Sequence, residues 1–171
     1  MKGRVIAYTG SHGTGKTDAA MRAAADLNRV ETGKSVKALC DLEGLGPFPI
    51  NKKTSPASQM WLFADRIRQE LDILARFDSL VTDRTVVDVV AYTYVAGFEA
   101  WATDMLPLAG RHLSIYGEIR FKTIANNNFW FDNGIRDAGD QAFREKTEKV
   151  LLDMYARLRE GGFMAGDFIL D

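Results

Sequence analysis

Short apolar runs alternate along the chain with longer stretches of helical periodicity. Arg4–Thr9 is dense in β-branched and aromatic residues and ends at a glycine, which predicts a short buried strand. Alanine-rich Lys16–Val30 predicts a helix stopped by Thr32-Gly33-Lys34, and Ser35–Leu42 predicts a second strand. Glu43–Pro56 holds Gly44, Gly46, Pro47, Pro49 and Pro56, so it reads as a loop, longer than most connections in compact domains. Ser55 or Ser58 can cap the next helix, which runs to Arg76 with Met60, Phe63/Ala64, Ile67, Leu71 and Leu74 as its core stripe.

Asp78–Asp83 predicts a third strand. Helices follow over Val86–Val95 and Glu99–Leu113, with breaks near Gly97 and Pro107. Glu118–Ile124 alternates as a fourth strand should, and Asn126–Gly139 is irregular. Asp140–Arg159 shows the clearest helical stripe, Phe143, Thr147, Val150, Met154 and Leu158, before Gly161-Gly162; Asp167–Leu170 offers a fifth strand. Strands that alternate with helices imply an α/β domain with a parallel sheet of about five strands, covered on both faces.

The 171 residues, 46% hydrophobic and 26% charged, suit one globular domain spanning 1–171. A net charge of −1 supplies no global basic excess for a nucleic-acid backbone and leaves only a local patch as a route to one; the expected partner is a small-molecule substrate. The single cysteine, Cys40, excludes an internal disulfide and any multi-cysteine metal site, and it suits a reducing, cytoplasmic compartment. No apolar run approaches the roughly 20 residues that span a bilayer.

The sharpest motif is Gly10-Ser11-His12-Gly13-Thr14-Gly15-Lys16-Thr17, a complete Gly-x-x-x-x-Gly-Lys-Thr between the first strand and the first helix. Its glycines permit positive φ, so that backbone amides turn inward as an anion nest at a helix N-terminus. Lys16 can neutralise the β- and γ-phosphates of a nucleoside triphosphate, and the Thr17 hydroxyl can ligate Mg²⁺. His12 reads as a polar loop-tip residue, with a phosphate contact as the alternative.

Ligands of parallel α/β sheets collect at the carboxyl ends of the strands. Asp83 ends the third predicted strand and is followed by Arg84; Asp41 lies near the end of the second, with Glu43 two residues on. Either carboxylate could hold Mg²⁺ through water or accept a proton from an attacking hydroxyl, and Arg84 could bind an acceptor phosphate. The plain alternative for each is a solvated strand end. On the second helix Gln59, Arg66 and Glu70 fall within about 40° of one another, with Phe63 between them. An amide, a ring and a guanidinium suit a nucleobase and its phosphate; a solvated helix border with an Arg66–Glu70 pair is the competing reading.

Gly10–Thr17, Gln59-x-x-x-Phe63-Ala64-x-Arg66 and Asp83-Arg84-Thr85-x-x-Asp88-x-x-Ala91-Tyr92 together resemble the P-loop nucleoside and nucleotide kinases. The Asp-Arg stretch and Asn133-Gly134-x-Arg136…Asp140-x-x-Phe143-Arg144 are most similar to the AAA_28 group, which resembles the ribosylnicotinamide kinase domain. The Phe-Ala-x-Arg element looks like thymidylate kinase. This resemblance implies ATP- and Mg²⁺-dependent phosphoryl transfer on a three-layer α/β/α P-loop NTPase core, with five parallel strands ordered 2-3-1-4-5. It further implies Asp83 as base or metal-water ligand and Arg84 as an acceptor-side contact. Arg136, with Arg144 as a further candidate, would be a lid arginine in a lid segment at 126–139. Relatives often carry a Glu and an Arg after the second strand, whereas Glu43 here is followed by Gly44-Leu45-Gly46 and no arginine. The identity of the acceptor, and the choice between Asp83 and Asp41 as base, therefore stay open.

The expected activity is phosphoryl transfer from ATP to a nucleoside or nucleoside monophosphate. A P-loop ATPase that couples hydrolysis to partner binding is the alternative. Val86, Val87, Val90, Tyr94, Phe98 and Trp101 supply enough apolar surface for a homodimer face.

Overall fold

Strand β1 (Arg4–Thr9) lies at the middle of a parallel sheet, paired with β3 (Ser79–Asp83) on one side and β4 (Tyr116–Phe121) on the other. Strand β2 (Val36–Leu39) lies outside β3, and β5 (Asp167–Leu170) outside β4, so the five strands run in the order β2-β3-β1-β4-β5. The computed structural model describes residues 4–30, 36–39, 54–126 and 140–171. Asp41, Glu43, Cys40, Arg136 and the expected lid beyond residue 126 lie outside the described residues.

Alternation along the central strands divides the core in two. Ile6, Tyr8 and Val81 pack with Ala20 and Ala24 of α1 (Lys16–Val30), whose small residues let the helix lie close to the sheet. Val5, Ala7, Leu80, Ile119 and Phe121 face the other way, into the larger core. That core is completed by α2 (Pro56–Leu74), α3 (Val86–Val95), α4 (Glu99–His112) and α5 (Gln141–Glu160). Central parallel strands are buried on both faces, and every residue of β3 is buried.

Caps set the helix starts. The Ser55 hydroxyl accepts from the Ser58 amide at 3.2 Å and Pro56 takes the first helical position, so Pro56 opens α2 rather than closing the preceding loop. Thr85 and Asp88 form a reciprocal capping box on α3. Asp140 caps α5, its carboxylate accepting from the Phe143 amide at 2.9 Å.

Four expectations are corrected. Helix α4 runs unbroken through Pro107, which costs it one backbone hydrogen bond and does not end it. Strand β4 begins at Tyr116 and ends at Phe121, two residues before Glu118 and three before Ile124. Val86, Val87 and Val90 are fully buried beneath α3 and cannot serve a dimer face, although Trp101 is 45% exposed. Helix α2 turns Met60, Ala64 and Leu71 outward and buries Ser58, Gln59, Phe63, Arg66, Glu70 and Ile73. The reason is that the three large polar side chains of that face find partners on neighbouring elements. Satisfied polar groups can be buried at little net cost, so the apolar stripe did not decide the rotation of the helix.

Candidate active site

The loop between β1 and α1 takes the predicted form, with φ of 130° at Gly10, 72° at Gly13 and 70° at Gly15. A side chain at Gly10 would collide with the backbone carbonyl of Lys122, so the chain just beyond β4 closes one flank of the loop. Ser11 and Thr14 are fully buried, and Lys16 is nearly so. The Lys16 Nζ donates to the Ser11 carbonyl oxygen at 2.5 Å and to the Thr14 hydroxyl at 3.3 Å, which places the ammonium group within the concavity of the loop. The amides at the start of α1 add their partial positive charge. These groups are arranged as an anion site requires.

Its far wall is the end of β3. The Thr17 hydroxyl donates to Asp83 Oδ2, joining the phosphate loop to the neighbouring strand. Asp83 Oδ1 is buried and has no hydrogen-bond partner among the described residues, and the same holds for the Ser11 hydroxyl. A hydroxyl and a carboxylate oxygen side by side, with one carboxylate oxygen to spare, are hard donors of the kind that Mg²⁺ takes. The residues therefore fit the divalent cation that a triphosphate carries.

Arg84 follows in the left-handed conformation, φ 82°, the only such non-glycine residue described. That conformation costs on the order of 1–2 kcal/mol and persists only where its surroundings impose it. Here the Arg84 amide donates to the Tyr8 carbonyl at 2.8 Å, and the Thr82 hydroxyl donates to the Arg84 carbonyl at 3.0 Å. The guanidinium is held from two sides: Nη1 lies 3.6 Å from Asp88 Oδ1, and Cζ sits 5.0 Å from the centre of the Tyr92 ring.

The predicted acceptor helix contributes in a different way from the one expected. Arg66 donates from Nη1 to the Thr82 hydroxyl and from Nη2 to the Asp83 carbonyl, each at 3.2 Å, so it braces the end of β3 directly beneath the candidate site. Gln59 uses both ends of its amide within the protein. Its Nε2 donates to the Thr54 hydroxyl at 2.6 Å, and its Oε1 accepts from the Thr93 hydroxyl at 3.2 Å. Phe63 is buried in the main core. Glu70 forms no pair with Arg66; it turns to His112 and Tyr116 at the other end of the sheet.

Two groups named in the sequence sit differently from what was expected of them. Arg144 is 2% exposed and donates from Nε to the His12 carbonyl at 3.1 Å, which anchors α5 to the phosphate loop and removes Arg144 from any role as a swinging lid residue. His12 itself is buried, not a solvated loop tip: its ring lies 6.0 Å from that of Phe143, and its Nδ1 lies 3.5 Å from the Tyr92 hydroxyl. No sequence pattern distinguishes an arginine that bonds a distant backbone oxygen from a solvated one. The spacing Thr85-x-x-Asp88 is a local signal that could have marked Asp88 as a cap, but nothing local marks it as a partner of Arg84.

No family model matches the chain, so the likeness to the AAA_28 group finds no support there, and no curated protein matches it either. Solved structures do. Thymidylate kinase from Ehrlichia chaffeensis superposes with a TM-score of 0.64 at 14% identity, over 99% of this chain and 93% of that one. Thymidylate kinase from Candida albicans gives 0.62 at 16% identity, over 98% and 84%. Deoxyadenosine kinase from M. mycoides, solved with bound dATP, gives 0.56 at 13% identity, over 97% and 89%. At such low identity the likeness establishes the fold: an α/β fold with a parallel sheet, shared with nucleoside and nucleotide kinases.

Proposed function

We propose that this chain is an ATP- and Mg²⁺-dependent kinase that transfers a phosphoryl group to a nucleoside or nucleoside monophosphate. The observation that carries this is the hydrogen bond between Thr17 and Asp83, because it brings the donor-side loop and the acceptor-side strand end into one site. The order of chemistry along that wall supports the same reading. A cation for the triphosphate, Lys16, comes first; an acidic oxygen, Asp83, follows; a second cation, Arg84, comes last. Phosphoryl transfer needs little covalent help from the protein, and positioning with charge neutralisation supplies most of the catalysis.

In this reading Gly10–Thr17 binds the β- and γ-phosphates through its amides and Lys16. Thr17 and Asp83 would hold Mg²⁺, which when bound offsets charge on the phosphate oxygens. The bond to Thr17 favours a metal-side role for Asp83 and leaves Asp41, outside the described residues, as the other candidate base. Arg84 faces the acceptor, and Arg136 is the candidate lid arginine. Gln59, Phe63 and Arg66 shape the acceptor wall from behind, since their polar atoms and ring are already engaged with Thr54, Thr93, Thr82, Asp83 and the core. The three-layer P-loop NTPase classification, a single domain over 1–171 and a cytoplasmic setting belong to the same proposal. No described helix is long and apolar enough to cross a membrane.

The deciding experiment is ADP release from ATP and Mg²⁺ in the presence of a panel of nucleosides and nucleoside monophosphates. A kinase shows turnover that rises and saturates with one acceptor. An ATPase hydrolyses at the same rate with every acceptor and with none, and that result would overturn the kinase reading.

A further inference from the structure

We propose that Asp88 is the positioning residue for the acceptor-side cation: it holds the Arg84 guanidinium in place as a buried counter-ion, with the Tyr92 ring as the opposite jaw. The proposal rests on the reading of Arg84 as a contact to the acceptor.

Asp88 is fully buried, and its two oxygens have separate tasks. Oδ2 takes three donors: the Thr9 hydroxyl at 2.8 Å, the Thr85 amide at 2.8 Å and the Thr85 hydroxyl at 3.1 Å. These bonds fix the carboxylate plane. Oδ1 is buried, makes no hydrogen bond of its own, and faces Arg84 Nη1 at 3.6 Å. A helix cap needs only Oδ2, and a neutral side chain would supply it. A buried charge directed at a second buried charge needs another explanation, because desolvating both ions is costly unless the pair fixes a geometry that something else uses.

The surroundings fit that purpose. Burial pushes the Asp88 carboxyl up from its ordinary value, while Arg84, the Thr85 amide, Lys16 and Thr9 oppose the shift. Of the two cations that oppose the shift, Arg84, which the carboxylate faces at 3.6 Å, acts more strongly than Lys16. The Thr85 hydroxyl also meets the Tyr155 hydroxyl at 2.7 Å, which fastens this network to α5, the helix that anchors the phosphate loop through Arg144. The left-handed backbone at Arg84 points its side chain back along α3, toward Asp88 and Tyr92, instead of onward into solvent. A free arginine samples many rotamers, and ordering it in advance removes an entropic cost from acceptor binding.

The test is residue-resolved phenylglyoxal labelling of arginines, mapped by mass spectrometry, in wild type, Asp88→Asn, Asp88→Glu and Tyr92→Leu. Asp88→Asn keeps an oxygen for the cap and removes the charge. Arg84 should label about tenfold faster in Asp88→Asn, the scale expected for one lost charge-assisted contact, and Asp88→Glu should restore part of the protection. Arg66 and Arg144 serve as internal references. A rise at Arg84 alone supports the proposal; an equal rise at all three arginines, or none at Arg84, overturns it. Tyr92→Leu opens the other jaw from a partly exposed position, so it decides the matter if Asp88→Asn does not fold: unchanged Arg84 labelling there overturns the clamp. Once an acceptor is found, Asp88→Asn should raise the acceptor KM about tenfold and leave the ATP KM within twofold. If no acceptor stimulates wild-type turnover, the kinase reading fails while the labelling still decides the role of Asp88.

Discussion

The Arg144 guanidinium donates from Nε to the backbone carbonyl of His12 at 3.1 Å, which ties the first turn of α5 to the phosphate loop. A second bond, from Nη1 to Gln141 Oε1 at 3.2 Å, fixes the guanidinium on its own helix. Arg144→Ala removes a charge-assisted bond of about 1.5–3 kcal/mol, and a domain of this size loses roughly 2–4 °C in Tm per kcal/mol. ATP-analogue affinity should fall with stability, because the loop amides lose their support. Lysine should rescue only in part, since its compact ammonium lacks the planar fork that reaches the His12 carbonyl from Nε and Gln141 from Nη1. Calorimetric titration of the analogue beside a thermal melt checks this, and unchanged affinity would show that the loop orders itself.

Asp83 and Thr17 should behave as a unit. Thr17→Val keeps the shape and loses the hydroxyl that bonds Asp83. Asp83→Asn keeps an acceptor for that hydroxyl and loses the charge. If the pair holds Mg²⁺, both variants should need more Mg²⁺ for half-maximal turnover. If Asp83 is instead only the base, Asp83→Asn should lower kcat by about 10²–10⁴ with no change in Mg²⁺ demand. A Mg²⁺ titration of both variants, read beside Lys16→Ala as the inactive reference, separates the two roles.

The parts legible in the sequence are those governed by short-range rules. The phosphate loop needs three glycines with positive φ, a lysine and a threonine at fixed spacing, and all are visible in Gly10–Thr17. The strand ends at Thr9 and Asp83 follow from β-branched runs that stop at turn residues. The rotation of α2 was not legible, because it depends on partners 16 to 46 residues away: Thr82 for Arg66, and Tyr116 for Glu70. The apolar stripe through Met60 and Leu71 looked like the core side, and only the location of those partners shows otherwise. Arg144 and His12 are 132 residues apart, beyond any local pattern.

Alkaline pH should find the protein brittle. Burial holds the Tyr116 and Tyr155 phenols well above their ordinary 10.0, with Glu70 adding to the effect at Tyr116 and Asp88 at Tyr155. A group whose folded-state value is raised contributes stability that is complete below its unfolded value. That contribution is lost as pH climbs above 10, because the unfolded chain ionises these tyrosines before the folded one can. The part of the phenolate absorbance that Tyr116 and Tyr155 contribute should therefore rise late, in step with loss of far-UV helix signal. Smooth ionisation of all five tyrosines in a protein that stays folded would contradict the burial.

Glu70 offers the cleanest separation of stability from function. Its carboxylate is fully buried, accepts from the Tyr116 hydroxyl at 2.7 Å on both oxygens, and meets His112 Nε2 at 2.7 Å. Tyr116 opens β4, whereas the phosphate loop follows the opposite, carboxyl end of β1, so the length of the sheet lies between this cluster and the candidate site. Glu70→Ala strands a buried phenol and a largely buried imidazole, each at a cost of about 1–3 kcal/mol, so unfolding free energy should drop by about 2–5 kcal/mol. Glu70→Gln keeps one acceptor and should lose less. Neither variant should change ATP-analogue affinity by more than about twofold when measured well below its melting temperature. Urea unfolding beside calorimetric titration tests both halves. A loss of affinity in a fully folded Glu70→Gln protein would mean that α2 carries coupling from one end of the sheet to the other, through Arg66 to Asp83.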